Sequence, residues 1–227
     1  MTTNAEPQGF IKKRKGSTLM QVAYNEIRES IITNAVKSGD VLSEQQLAQK
    51  LGISRTPVRE ALAILENEGL VEIRRGIGAF VKPLSYKDIS DMYEVRRPME
   101  ALAFRSAAEF LTAAEIKACR DQFGALLKRC EANERVEARE FYQVDSAFHD
   151  LIVERCGNVY VQRFMHTINS NLRRMQMMFS SSIQGDMQET IRQHLLLLDL
   201  LEAKNAEELE RELDRQLQIS KRRYTGF

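Results

Sequence analysis

The sequence predicts a mainly α-helical chain in two parts: an N-terminal unit of three helices and a β-hairpin, then a larger all-α C-terminal bundle. Three observations predict it. Apolar residues recur at i, i+3, i+4 spacing over most of the chain. The period changes to alternation in one short stretch, from Val71 to Val81. Only 4 prolines and 11 glycines interrupt 227 residues, so long helices are expected.

Each element has a local reason. Residues 1–17 are polar and carry Lys12, Lys13, Arg14 and Lys15. They read as a flexible basic tail able to touch phosphates, and no apolar run follows to make a signal peptide. A first helix is expected over Thr18–Val36, with Leu19, Ala23, Ile27 and Ile31 as its apolar stripe. Gly39 and Asp40 break the chain. Ser43, with Gln46 three residues on, has the capping-box pattern. Leu47, Ala48 and Leu51 form the buried side of that short helix, and Gly52 ends it. Ser54 or Thr56 opens the next helix, with Pro57 in its first turn, where a missing N–H costs little. Val58, Ala61, Leu62 and Leu65 make its core face, and Gly69 terminates it. Val71–Arg74 reads as a strand, Gly76-Ile77-Gly78 as a turn and Ala79–Val81 as the returning strand. Pro83-Leu84-Ser85 is the expected linker, so the parts are 18–85 and 86–227. In the second part, Thr112 with Glu115 and Asn205 with Glu208 are helix starts, and Gly157-Asn158 is a stop followed by a start. Six or seven helices are expected there.

The bulk numbers bound the function. With 43% hydrophobic and 29% charged residues, the chain fits a soluble globular protein. Net charge is +1, but residues 1–84 carry 12 basic against 9 acidic side chains. That excess permits a polyanion partner without demonstrating one. The apolar run Leu195–Leu201 is broken by Asp199 and is too short to span a bilayer, so no membrane partner is expected. Cys119, Cys130 and Cys156 are odd in number and fit no ligand spacing, which points to a reduced, cytoplasmic protein.

The order of short helix, glycine turn, capped helix and glycine-tipped hairpin is that of a winged helix-turn-helix. In that arrangement the second helix enters the DNA major groove N-terminal end first. Here it opens at Ser54-Arg55-Thr56-Pro57-Val58-Arg59. Arg55 and Arg59 share one face, away from the core positions, and a guanidinium fork pairs with guanine O6 and N7. The hydroxyls of Ser54 and Thr56 suit phosphate. Arg74 and Arg75 flank the hairpin tip, where Gly76 allows close backbone approach. Two arginines alone are most often a solvated helix face; the order of elements around them favours the duplex.

In the second part, Asp145 and His149 are four residues apart on one helix, so both can face one point. His194 on a later helix is a candidate third ligand, and the set suits a divalent ion such as Zn²⁺. An Asp/His pair is more often an ordinary hydrogen bond. Met175, Met177 and Met178 read as core packing, and His166 as structural. A metal-dependent enzyme using Asp145, His149 and His194 is the rival reading, but no motif supplies a nucleophile or base. A non-sensing architectural DNA binder is a third.

The runs Leu42-Ser43-Glu44-Gln45-Gln46-Leu47-Ala48 and Leu51-Gly52-Ile53-Ser54-Arg55-Thr56-Pro57-Val58-Arg59-Glu60-Ala61-Leu62, continued by Glu68-Gly69-Leu70-Val71, resemble the GntR family signature. Residues 86–227 resemble the FCD effector-binding domain of its FadR-like branch, through Tyr93-Glu94-Val95-Arg96 with Glu100, Asp145-Ser146-Ala147-Phe148-His149, Gly157-Asn158 and His194. The resemblance implies a homodimeric regulator, usually a repressor, on a two-fold symmetric double-stranded operator. It implies DNA contacts for Arg55, Thr56, Arg59 and Gly76, and for Gln45 where many members carry arginine. It implies an effector-facing role for Arg96 and, more weakly, Arg173, with Asp145, His149, His194 and Gln216 in the same effector site; a buried arginine near a metal suits a carboxylate effector. The family's fourth metal ligand, a histidine, falls at Gln216. Three readings stand open: three ligands completed by water or effector, weak binding by the Gln216 oxygen, or no metal and a direct effector role for Asp145 and His149.

Overall fold

Thr18 opens the first helix by accepting a hydrogen bond from the Gln21 backbone N–H at 3.2 Å, pairing a donor that a helix start leaves free. The structure, a computed structural model, describes residues 18–183 and 185–226; the expected tail 1–17 lies outside them. Helix α1 covers Leu19–Ile32. It stops short of the expected Val36 because Asn34 takes a left-handed backbone, φ 58°, through which a right-handed helix does not continue. Ala23, Ile27 and Ile31 are buried, whereas Leu19 in the first turn is 41% exposed and leaves the expected stripe. A two-residue strand, β1 (Val41–Leu42), follows. Ser43 caps α2 (Glu44–Leu51) by accepting from the Gln46 N–H, at 3.4 Å. Gly52, at φ 66°, ends it. Helix α3 (Arg55–Asn67) buries Val58, Ala61, Leu62 and Leu65. Strands β2 (Val71–Arg74) and β3 (Gly78–Val81) pair antiparallel, with Arg74 opposite Gly78. Strand β1 adds to the other side of β3, so the sheet order is β1-β3-β2. The core of this unit joins α1 and α3 to Leu70, Val71, Ala79 and Val81.

The second unit is built on capped helices. Ser85 and Asp88 form a reciprocal capping box on α4 (Tyr86–Ala107). Thr112 and Glu115 form the expected one on α5 (Ala113–Glu131). Helices α6 (Ala138–Arg155), α7 (Val159–Met178), α8 (Met187–Glu202) and α9 (Ala206–Thr225) follow, with a 3₁₀ turn at Ser180–Ile183. Among the described residues this unit therefore has six α-helices. Asn158 starts α7 by accepting from the N–H groups of Tyr160 and Val161. Asn205 accepts from the Glu208 N–H to start α9.

Helix α4 packs on α9, α6 and α7, while α8 packs on α5 and α9. Phe104, Phe123, Phe141 and Phe148 are essentially fully buried between these helices, each contributing roughly 1.5–3 kcal/mol by leaving water. Contacts divide the chain between Pro83 and Leu84 into two units, each with its own core. No described helix is long and apolar enough to cross a membrane.

Candidate functional site

In the N-terminal unit, Ser54 stands at the N-cap of α3 with extended backbone, and its side chain makes no capping bond. Its hydroxyl is thus not committed to the helix start, and the residue is exposed. Arg55, Thr56 and Arg59 are exposed on the same turn and the next. Both guanidiniums converge on one carboxylate of the preceding helix. Glu44 Oε2 lies 2.9 Å from Arg59 Nη2 and 3.3 Å from Arg55 Nη2. The Arg59 hydrogen bond is the largest influence holding the Glu44 carboxyl below its usual range. Gln45 is exposed beside Glu44. At the hairpin tip Arg75 and Gly76 are exposed, Gly76 with φ 76°. Arg74 is engaged elsewhere: it bonds Glu72 and lies over the Phe80 ring, 4.7 Å from its centroid. Glu44 is the residue that sequence reasoning missed on this face.

In the helical unit, α6 carries Asp145 and His149 one turn apart, and α8 brings in His194. All three are buried, and one ligand atom from each lies within 4.8 Å of the others. Asp145 Oδ1 is 2.9 Å from His194 Nε2 and 3.9 Å from His149 Nε2. The other nitrogen of each ring faces an acceptor. His194 Nδ1 is 2.7 Å from the Thr190 carbonyl oxygen, which can only accept, so Nδ1 donates there and Nε2 faces Asp145. His149 Nδ1 is 3.1 Å from Glu100 Oε1, and that same oxygen pairs with Arg96 Nη2 at 3.0 Å. The contacts to His149 Nδ1 and His194 Nε2 are close but not aligned as hydrogen bonds, and both nitrogens are buried without a hydrogen-bond partner. Gln176 Nε2 donates to Asp145 Oδ2 at 3.1 Å, which leaves Oδ1 turned to the histidines.

Charge keeps the two carboxylates ionised despite burial. Burial pushes the Glu100 carboxyl up, but Arg96 and His149 outweigh it and hold it at about 2. Burial likewise raises Asp145, and His194, His149 and Arg96 together keep it below the carboxylate range. Burial is the largest single influence on His149 and opposes its protonation, but Glu100 and Asp145 together outweigh it, so its pKa is raised. Phe123 stacks on the His194 ring at 4.8 Å, and Phe148 meets both imidazoles edge-on. The hydrophobic core is thus also the wall of the cluster.

The three residues open onto a cavity of about 40 Å³, room for roughly three waters at 10–15 Å³ each. Arg96 and Gln216 line it, as expected. Arg173 does not; it pairs with Asp150 and points its charge there. Sequence reasoning missed Gln176, Gln193, Tyr142, Tyr224 and Arg223, which also line the cavity. Burial pushes the Tyr142 hydroxyl up to about 12, so it is a neutral hydrogen-bonding group, 2.9 Å from the Tyr224 hydroxyl.

The donor set passes the test for a divalent metal. One carboxylate oxygen and two imidazole nitrogens converge, His194 is oriented through its second nitrogen by a carbonyl, the second nitrogen of His149 lies beside a carboxylate, and the buried His194 Nε2 is left unpaired. Asp145, His149 and His194 are the residues that would hold the ion.

Comparison with known proteins agrees with both halves. Residues 19–81 match the family described as bacterial regulatory proteins, gntR family, and residues 91–218 match the FCD domain. The gluconate operon transcriptional repressor of Bacillus subtilis is 34% identical over 155 residues, 68% of this chain and 61% of that protein. The HTH-type transcriptional repressor RspR of Escherichia coli is 25% identical over 198 residues, 87% of this chain and 85% of that one. Among solved structures, E. coli McbR/YncC shares the fold at a TM-score of 0.76 and 22% identity, over 90% of this chain and 95% of that one. These family matches and relatives are regulators rather than enzymes, which removes the metal-dependent enzyme as a reading. The chain belongs to the GntR family of bacterial regulatory proteins, as a DNA-binding transcriptional regulator with a C-terminal FCD domain.

Proposed function

We propose that the chain is a repressor that binds a two-fold symmetric operator as a homodimer, and that a small carboxylate bound in the FCD cavity beside a divalent ion sets its operator affinity. Arg55 and Arg59 read base edges, Ser54, Thr56 and Gln45 hold phosphate or base, and Arg75 with Gly76 makes the wing contact. Asp145, His149 and His194 hold the ion, which supplies fixed positive charge for an anionic ligand. The single observation behind this reading is the buried convergence of those three side chains on a small polar cavity. Repression and the carboxylate class also draw support from the gluconate operon repressor among the relatives. Effector binding alters the operator only if it favours one arrangement of the two recognition helices over another.

The test has two arms. Metal analysis of protein purified without chelators finds near-stoichiometric divalent ion, and Zn²⁺ added to stripped protein raises its melting temperature. Operator selected from a random duplex pool then binds more weakly when the matching carboxylate from a ligand library is added. No ion and no thermal shift would remove the metal. The remaining reading is then direct effector binding by Asp145 and His149, which the glutamine at position 216 favours.

A further inference from the structure

The buried amide nitrogen of Gln216, Nε2, is left without a hydrogen-bond partner. Gln216 lies on α9, is 8% exposed and lines the same cavity as Asp145, His149 and His194. The neighbouring carboxamides are occupied: Gln176 Nε2 donates to Asp145 Oδ2, and Gln193 Nε2 donates to Glu189 Oε1 at 3.3 Å. A buried donor left unpaired is destabilising, so such groups ordinarily have an acceptor. Gln216 lines a cavity with room for an acceptor from outside the protein, a water or a ligand oxygen.

We infer that Gln216 is the oxyanion-selecting residue of this cavity: its carboxamide N–H donates to an oxygen of the bound carboxylate and is not a ligand of the metal ion. This deepens the proposed function and rests on it. A carboxamide is a neutral, hard donor through oxygen only, poorly matched to an ion that two imidazoles prefer. Its N–H₂ end instead repels a cation and attracts an anion. The cavity has room for only a few heavy atoms beside the cluster, which fits a carboxylate group rather than a bulky head. With Asp145, His149 and His194 holding the ion, a carboxylate bound in the cavity would have one oxygen available to the ion and the other to Gln216. Arg223 is less available, since it already donates to Thr190 Oγ1 at 3.1 Å and lies 3.4 Å from Asp186.

The test uses the full chain as parent, Gln216→Leu and Gln216→His, with folding checked by circular dichroism. Zn²⁺ affinity is measured by competition with a chelator. Acetate and glycolate affinities are measured by calorimetry on both Zn²⁺-loaded and metal-free protein. The inference expects Gln216→Leu to keep the parent's Zn²⁺ affinity within about threefold while its carboxylate affinity drops by about tenfold or more. It expects Gln216→His to bind Zn²⁺ about tenfold or more tightly, through a fourth ligand. Loss of Zn²⁺ affinity in Gln216→Leu overturns it, because the amide oxygen is then a ligand. Unchanged carboxylate affinity in Gln216→Leu, or no carboxylate binding by the parent, overturns it as well. Absence of Zn²⁺ binding by the parent instead defeats the metal in the proposed function, and the metal-free carboxylate comparison still decides the role of Gln216.

Discussion

Glu44 is 28% exposed, and the two arginines it bridges are 62% and 65% exposed. Exposed pairs of this kind contribute about 0–1 kcal/mol to stability, so the bridge matters chiefly for where the guanidiniums sit. Arg55→Ala and Arg59→Ala are therefore expected to leave the melting temperature nearly unchanged. Each is expected to cost about 1–3 kcal/mol of discrimination for operator over random duplex, read by fluorescence anisotropy at fixed salt. Parental discrimination in both variants would take α3 out of the groove. The same reasoning predicts that Asp145→Ala or His194→Ala removes Zn²⁺-induced stabilisation while operator binding without effector persists. The arginine pair was legible in the sequence because helical spacing alone puts residues 55 and 59 on one face. Glu44 was not, since it sits 11 and 15 residues away on another helix. Likewise Asp145 and His149 announced themselves at i, i+4, whereas Gln176, Gln193 and Arg223 look like ordinary surface residues until α7, α8 and α9 close around the cluster.

At the scale of the element, capping shows how local chemistry sets helix starts. Thr112 accepts from the Glu115 N–H at 3.2 Å, and Glu115 Oε2 accepts from the Thr112 N–H at 3.0 Å. Removing the cap by Thr112→Ala is expected to cost about 1 kcal/mol in chemical denaturation. Glu115 also takes the guanidinium of Arg155 from α6. The Arg155 hydrogen bond, then those from Thr112, pull its carboxyl down to about 2. An acid with a depressed folded-state pKa adds stability that is fully present above its unfolded value and is lost as pH falls toward the folded one. The melting temperature of the parent should therefore exceed that of Glu115→Gln by a constant margin from neutrality down to about pH 5, and the margin should shrink below the ordinary carboxylate range near 4.3. A margin still constant at pH 3 would refute the pairing. Caps, with periodicity, made α2, α5 and α9 readable in advance, whereas α3 was readable from its apolar face alone, since Ser54 makes no capping bond. Strand β1 was not readable, because two residues show no alternation. The end of α1 was misplaced because the turn at Asn34 depends on a left-handed backbone that its neighbours do not signal.

On the scale of the whole molecule, the two cores share no residue, and the proposed ligand cluster belongs to one of them. Phe148 is 2% exposed and meets Phe104 and Phe123 edge-on at 5.7 and 5.8 Å, as well as both histidines. Truncation to alanine opens a cavity against the cluster and is expected to cost about 3–5 kcal/mol. Because the loss falls in the helical core, amide exchange should accelerate in α4–α8 while the amides of α1 and α3 around Ile27 and Leu62 keep their protection. Zn²⁺ at about a hundredfold over its dissociation constant should act in the opposite direction, by about 2.7 kcal/mol, and on the same amides. Hydrogen exchange read by mass spectrometry separates the two sets of peptides. If Phe148→Ala strips protection from α3 as fully as from α6, the units unfold as one. Coupling between effector and operator would then be global destabilisation rather than a change passed between two separately folded units. If protection in α3 holds, the two units unfold separately, and the next measurement is the operator affinity of the parent with the stretch from Pro83 to Ser85 lengthened.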